Sequence, residues 1–405
     1  MSKRRRDLFA VLAVECVILL GPKIGLAAGD TPGVTGAEIK IGQTMPYSGP
    51  ASAASTVGVS DRAYFAMVND QGGVNGRKID FISVDDGLNP AKTVEQTRRL
   101  VEVDQVAFTY RALGTATQSA VVKYLNDNKV PQLMIASGAA KWNQPSLYPW
   151  SIPSLMDYVT EAHIYARYIL KTQPNARIAV LYQNDDFGKD YLRGLEEGLG
   201  DRAKSMIVKS LSYETTDPTV DSQILDLHGS GADTVFLFAY PRPIGQALRK
   251  ISELGWKPRI FLDNPNSSIG FTLKPAGVDK AVGVITIQQF KDPSDPRWKG
   301  DADIADWNAW MAKYNKSVDR SDGAAFSAYG LGWTMTQILR RCGTDLSREN
   351  IMRQALSLKS LAAPMLIPGI TYNTSPTDHR LLRQGQLARF DGKSFVPLDG
   401  TIIGD

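Results

Sequence analysis

The chain has 405 residues, 46 basic and 42 acidic side chains, a formal net charge of +4 and two cysteines. Residues 1–28 hold five basic and two acidic side chains, which account for +3 of that charge and leave +1 for the rest. So small a residual charge makes no electrostatic case for a nucleic-acid or membrane-surface partner. The length exceeds what one hydrophobic core usually serves, so two domains are expected.

Residues 1–28 read as a secretory signal. Lys3, Arg4, Arg5 and Arg6 form a charged start, Leu8 to Leu20 is mostly apolar, and small residues follow at Gly25, Ala27 and Ala28. An uncleaved anchor is the alternative reading, but the apolar run is short for a membrane span and contains Glu15. Glu15 before Cys16 poorly matches a lipoprotein processing site, so no lipid anchor is expected. Cleavage after Ala27 or Ala28 leaves Cys342 as the sole cysteine, and no intramolecular disulfide can form.

Strand and helix patterns then alternate. Strands are expected over 38–44, 78–84, 106–110, 132–136, 177–182, 206–212, 234–239, 259–262 and 282–288. Near-continuous apolar runs such as Ile178-Ala179-Val180-Leu181 and Val235-Phe236-Leu237-Phe238 are expected in parallel strands covered on both faces. A helix over 91–103 is capped by Asn89, with Pro90 in its first turn and Val94, Thr97, Leu100 and Val101 on one face. A helix containing Val59, Ala63, Ala66 and Met67 ends at Gly72-Gly73, and Asn75-Gly76 turns the chain into the next strand. Prolines 149 and 153 break the alternation before a second strand–helix series begins. This pattern is doubly wound α/β in two lobes.

The string Gln71-Gly72-Gly73-Val74-Asn75-Gly76-Arg77-Lys78-Ile79-Asp80, running into Phe81-Ile82-Ser83-Val84-Asp85-Asp86, resembles a stretch near the start of the branched-chain amino-acid-binding family of periplasmic ABC-transporter solute-binding proteins. The resemblance extends over nearly all of the chain beyond the signal. It implies the type I periplasmic binding fold, two Rossmann-like lobes with a ligand cleft between them. It also implies a lobe 1 of residues 36–150 and 283–366, a lobe 2 of 154–279 and 370–405, and crossings near 150–154, 279–284 and 365–372. A small-molecule ligand, a membrane permease partner, a monomeric state and a periplasmic location follow from the same resemblance.

Ligands of open α/β sheets sit beyond the carboxyl ends of strands, so the loops there carry the candidate site. Met45–Ser52 reads either as a flexible turn or as a cleft wall, with Tyr47 supplying an aromatic face and Ser48 a hydroxyl. Hydroxyls at 115 and 117 either cap a helix or, with its free N–H groups, hold a carboxylate. The family's serine or threonine position in that loop falls on Ala116, between Thr115 and Thr117. In the loop Ser137-Gly138-Ala139-Ala140, the family's threonine position falls on Ala140, and Ser137 is the nearest substitute. Phe187 occupies an aromatic position of the family, behind Asp185 and Asp186, which read as helix N-terminal acids or as an acid–base pair. Tyr240 and Arg242 follow another strand, Arg242 reading equally as a surface cation or a carboxylate clamp. Asp263 and Asn264 stand where amino-acid binders carry an acid for the ligand ammonium.

No nucleophile elbow, phosphate loop or zinc-protease motif is present, and His163, His228 and His379 lack metal-ligand spacing. No cofactor, metal or catalytic residue is therefore expected. Two alternatives to solute capture remain, a ligand-binding sensor and a secreted hydrolase. The spacing of Trp307 and Trp310 marks a packed helix face. The signal reading yields a direct prediction: intact mass spectrometry of the exported protein finds residues 1–27 or 1–28 removed, and a retained leader contradicts it.

Overall fold

The computed structural model describes residues 31–404, and the expected signal of residues 1–28 lies outside them. The first part of the chain runs β1 (Glu38–Met45), α1 (Thr56–Asp70), β2 (Lys78–Asp85), α2 (Pro90–Arg98), β3 (Phe108–Tyr110), α3 (Thr115–Asp127), β4 (Gln132–Ile135) and β5 (Ser151–Pro153). The middle runs α4 (Tyr158–Thr172), β6 (Ile178–Gln183), α5 (Asp186–Leu199), α6 (Ala203–Met206), β7 (Ile207–Tyr213), α7 (Asp221–Gly229), β8 (Thr234–Phe238), α8 (Pro241–Glu253) and β9 (Arg259–Leu262). The rest is α9 (Lys274–Ala276), α10 (Val278–Ala281), β10 (Ile285–Gln288), α11 (Ala302–Lys313), α12 (Gly323–Arg341), α13 (Arg348–Ala355), β11 (Gln384–Phe390) and β12 (Phe395–Gly404).

These strands form two sheets. The first is parallel with order β2-β1-β3-β4-β5, and the second has order β12-β11-β10-β9-β8-β6-β7. The run β7-β6-β8-β9-β10 repeats the order of the first sheet, which is the doubly wound arrangement twice over. β11 and β12 extend the second sheet antiparallel beside β10. The second sheet is apolar on both faces. Ile178, Val180, Phe236 and Phe238 pack on one side, Ala179, Leu181, Val235 and Leu237 on the other.

Local chemistry sets the element ends. The Asn89 side chain accepts from the N–H groups of Ala91 and Lys92 at the start of α2. Asp185 does the same for Phe187 and Gly188 at the start of α5, so it is a helix cap. Gly73 has φ +80°, and a Cβ there would stand 2.0 Å from the Arg77 carbonyl oxygen. Only glycine fits that turn. Trp307 and Trp310 are buried in the first core, as their spacing predicts.

Two borders differ from the sequence expectation. β10, assigned above to the first lobe from 283, hydrogen-bonds between β9 and β11 in the second sheet. Ile370, Tyr372, Leu381 and Leu382, assigned to the second lobe from 370, pack into the core beneath the first sheet. The chain therefore leaves the second sheet after Gln288 and rejoins it at Gln384. Those bounds came with the family resemblance, and strand periodicity could not adjust them, because it marks a strand's existence but not its sheet.

Helices α4 and α5 carry Tyr158 and Phe187 at their N-terminal ends and touch through a seam of small residues. A Cβ on Gly194 would lie 2.7 Å from the Val159 Cα and 3.0 Å from the Ala162 Cβ. Gly194→Leu forces the helices apart and is expected to lower stability by about 1–3 kcal/mol, read as a drop in the urea midpoint. An unchanged midpoint contradicts this packing.

Candidate ligand-binding cleft

A cavity of about 150 Å³ lies where the carboxyl ends of β3, β4 and β5 meet those of β8, β9 and β10. The first sheet contributes Arg111, Leu113, Ala136, Ser154 and Leu155 to its wall, and α1 and α12 add Val57, Ala324, Phe326 and Ser327. The second contributes Tyr158, Phe187, Tyr240, Asn264 to Ile269, Gln289, Phe290 and Asp292. Residues from both sheets thus enclose one space.

The second-sheet wall is aromatic. Phe187 sits edge-on to Tyr158 at 5.2 Å between ring centroids and tilted against Tyr240 at 5.6 Å. Tyr158 stacks on Tyr191 at 4.6 Å. Such a wall offers apolar area in a rigid arrangement at low cost in side-chain entropy.

The polar groups are few and mostly engaged with each other. Ser154 Oγ donates to the Ile135 carbonyl, Ser267 Oγ to the Asn264 carbonyl, and Asn266 Nδ2 to Asp263 Oδ1. Two donors differ. Arg111 gives Nη1 to Asp61 at 2.7 Å and Nη2 to Ser327 Oγ, while its Nε is buried with no hydrogen-bond partner among the described residues. Gln289, only 1 % exposed, has Nε2 in the same condition. Arg111 also sits at φ +51°, a left-handed conformation uncommon outside glycine. Arg111 is thus a buried cation in a left-handed conformation on a residue that lines the cavity.

Of the residues expected from sequence to form the site, Phe187, Tyr240 and Asn264 line this cavity. The others lie elsewhere. Tyr47 Oη bonds Ser83 Oγ at 2.6 Å, and Ser48 Oγ donates to Asp85 at 2.7 Å, so both belong to a brace between β1 and β2. Thr115 and Ser137 are buried and bond each other at 2.7 Å, with Ser137 Oγ also accepting from Trp142 Nε1. Thr117 Oγ1 turns back to the Leu113 carbonyl. Ala116, Gly138 and Ala139 do not reach the cavity wall. At Gly138 a Cβ would stand 2.1 Å from the Met156 carbonyl oxygen, so that glycine serves close packing. Arg242 is on the surface, donating to the Pro218 carbonyl. Asp263 is fully buried and accepts from Ala239 N–H, Asn266 N–H and Asn266 Nδ2, which makes it a turn cap.

A family model described as periplasmic binding protein matches residues 38–394. The chain belongs to the periplasmic binding protein family. Leu/Ile/Val-binding protein homolog 7 of Brucella suis biovar 1 (strain 1330) is 26% identical over 276 residues, which is 66% of this chain and 67% of that protein. A substrate-binding periplasmic protein from Ralstonia solanacearum superposes with TM-score 0.78 at 23% identity, covering 91% of this chain and 100% of the other. A branched-chain amino acid ABC transporter protein from Thermus thermophilus with bound valine superposes with TM-score 0.80 at 15% identity, covering 91% and 97%. The fold is the type I periplasmic binding arrangement.

Within this periplasmic binding protein, sequence reading passed over Arg111, Tyr158 and Gln289. Arg111 stood inside a loop noted for its hydroxyls, and its pairing with Asp61, 50 residues away, has no local signature. Behind Asn264 lies another unannounced group, Glu161. Its Oε1 accepts from the Asn264 N–H at 2.7 Å and from Tyr165 Oη at 2.8 Å. Burial pushes the Glu161 carboxyl from 4.5 up to about 7, against the lowering effect of those hydrogen bonds. A raised carboxyl binds its proton more tightly in the folded state. Its contribution to stability is therefore complete below pH 4.5 and is lost as pH rises through about 7. Glu161→Gln keeps an Oε1 acceptor and cannot ionise. The variant is expected to exceed the wild type by about 2–3 kcal/mol at pH 8 and to match it near pH 4.5. Urea denaturation at both pH values measures this, and a constant difference contradicts the assignment.

Proposed function

We propose that the protein is the extracytoplasmic solute-binding component of an ABC importer. It captures a small carboxylate-bearing solute, either a branched-chain amino acid or an aromatic or aliphatic acid or amide. The observation that carries this reading is the cavity walled from both sheets at the carboxyl ends of their strands. The protein is proposed to act as a periplasmic monomer that binds without converting its ligand and delivers it to a membrane permease. No helix among the described residues is long and apolar enough to cross a membrane. The names of the Brucella and Thermus proteins, one Leu/Ile/Val-binding and one with bound valine, place branched-chain amino acids among the solutes to test.

In this reading the two sheets organise two lobes that hinge about the crossings after Pro153 and Gln288 and before Gln384. Direct contacts bridge them on either side of the cavity. Lys141 pairs with Asp186 at 2.5 Å and the Ala140 N–H donates to Asp190. Opposite, the Gly323 N–H donates to Ser268 Oγ and Lys274 pairs with Asp319. Bound solute favours this closed arrangement.

The test is a thermal-shift screen with amino acids, aromatic acids, short aliphatic acids and amides, followed by small-angle scattering on any hit. A ligand of the folded state raises the melting temperature by mass action, and closure lowers the radius of gyration. No shift with any small solute, or an unchanged radius at saturation, overturns the proposal.

A further inference from the structure

We propose that Gly270 is the closing stop of the cleft, where bare backbone lets the second lobe seat on Asp322 and so fixes how far the lobes close. This role rests on the solute-binding reading, in which the lobes hinge, and it names the residue that sets the closed position.

Gly270 lies in the turn Ile269–Leu273, whose Ile269 and Leu273 are buried in the core of the second lobe. Facing it is the start of α12, whose Ala325 and Phe326 are buried in the core of the first. Each side of the contact is therefore fixed to its own lobe. A Cβ on Gly270 would stand 2.9 Å from the Asp322 Cα and 3.0 Å from its Cβ and N. Carbon atoms pack at about 3.5–4.0 Å, so a side chain at this position holds the lobes apart. The local backbone does not itself demand glycine. Gly270 has no left-handed φ and sits in a helical turn, where glycine is less favourable than alanine. Its missing side chain serves the approach.

Backbone groups complete the seat. The Gly270 N–H donates to the Ser321 carbonyl at 3.0 Å, and the Gly323 N–H donates to Ser268 Oγ at 3.0 Å. A helix start leaves its first N–H groups without internal partners, so the second lobe supplies part of the α12 cap. Bonds of this kind have a short reach, because backbone does not follow a change of angle as a long side chain does. The opposite rim closes instead on the side chains of Lys141, Asp186 and Asp190. Ser268, Ser321 and Gly323 also line the cavity. The seat is thus part of the cavity wall, and its position sets the room left for a solute.

The experiment is disulfide trapping on the full exported protein with Ser268→Cys and Gly323→Cys combined. A Cβ on Gly323 stands 3.7 Å from the Ser268 Cβ, within the range of about 3.5–4.5 Å that a disulfide needs. Oxidation with copper phenanthroline is expected to join the two thiols, read as loss of free thiol. Adding Gly270→Leu is expected to slow the cross-link by about tenfold or more, while the urea midpoint of the reduced protein stays close to its value without that change. Gly270→Ala adds the Cβ alone and takes its place if Gly270→Leu does not fold. No cross-link with glycine at 270, or an equal rate with the side chain added, overturns the proposal. In the native background, Gly270→Leu is expected to weaken whichever of L-leucine, L-valine and benzoate binds by about tenfold or more, measured by calorimetry. Full affinity in that variant also overturns it. Cross-linking needs no solute, so a thermal-shift screen without a hit defeats the solute-binding reading while the cross-link still decides the seating of Gly270.

Discussion

A continuous chain of hydrogen bonds in the first lobe fixes the position of the one buried cation on the cavity wall. It runs from Tyr47 Oη to Ser83, from Ser83 Oγ to Gln43 Oε1, and from Gln43 Nε2 to Asp61. Asp61 then holds Arg111 at 2.7 Å, and Arg111 reaches Ser327 in α12. Five segments are tied by it: β1, β2, α1, the loop after β3 and the start of α12. Removing one partner of a buried ion pair leaves the other charge stranded, at about 3–5 kcal/mol. Arg111 therefore cannot move far without disturbing the lobe, which is what a preformed anchor requires.

The same network shows how the loop residues expected to face a ligand are engaged in this structure. Tyr47 and Ser48 have the right chemistry in the right loop, yet Ser83 and Asp85 on the neighbouring strand claim them. Thr115 and Ser137 claim each other. In a parallel sheet the loops at the carboxyl edge lie side by side, so their polar groups satisfy one another unless something prevents it. What remains unsatisfied is informative because it is rare. Here two unsatisfied donors, Arg111 Nε and Gln289 Nε2, belong to residues that line the cavity while the atoms themselves are buried.

Much of the fold was legible in the sequence. The parallel strands announce themselves by apolar runs such as Ile178–Leu181, because covering both faces of a sheet demands them. Asn89-Pro90 and Gly72-Gly73 gave helix ends, since capping and left-handed turns depend on near neighbours. The β11–β12 pair escaped notice because Phe395–Gly404 is partly exposed and contains Pro397 and Gly400, so no strong alternation survives. The site was less legible than the fold. Phe187, Tyr240 and Asn264 were singled out and line the cavity, because a loop's place after a strand is a local property. Arg111 and Gln289 drew no notice because their buried places on the cavity lining exist only after distant segments have packed.

In the proposed reading, the contacts across the cleft set how strongly the solute must act to close it. Most of the bridges between the lobes are at or near the surface: Lys274 and Asp319 are both about half exposed, and Asp186 is as well. Exposed pairs of this kind contribute about 0–1 kcal/mol each and weaken with salt. They do not lock the lobes by themselves. Phe187, Tyr158 and Tyr240, all on the second-sheet wall, offer an apolar body a rigid aromatic surface. A ligand shifts such an equilibrium only by its differential affinity for the two states, so in the proposed reading closure depends on the ligand's contacts with both walls of the cavity rather than on these surface pairs.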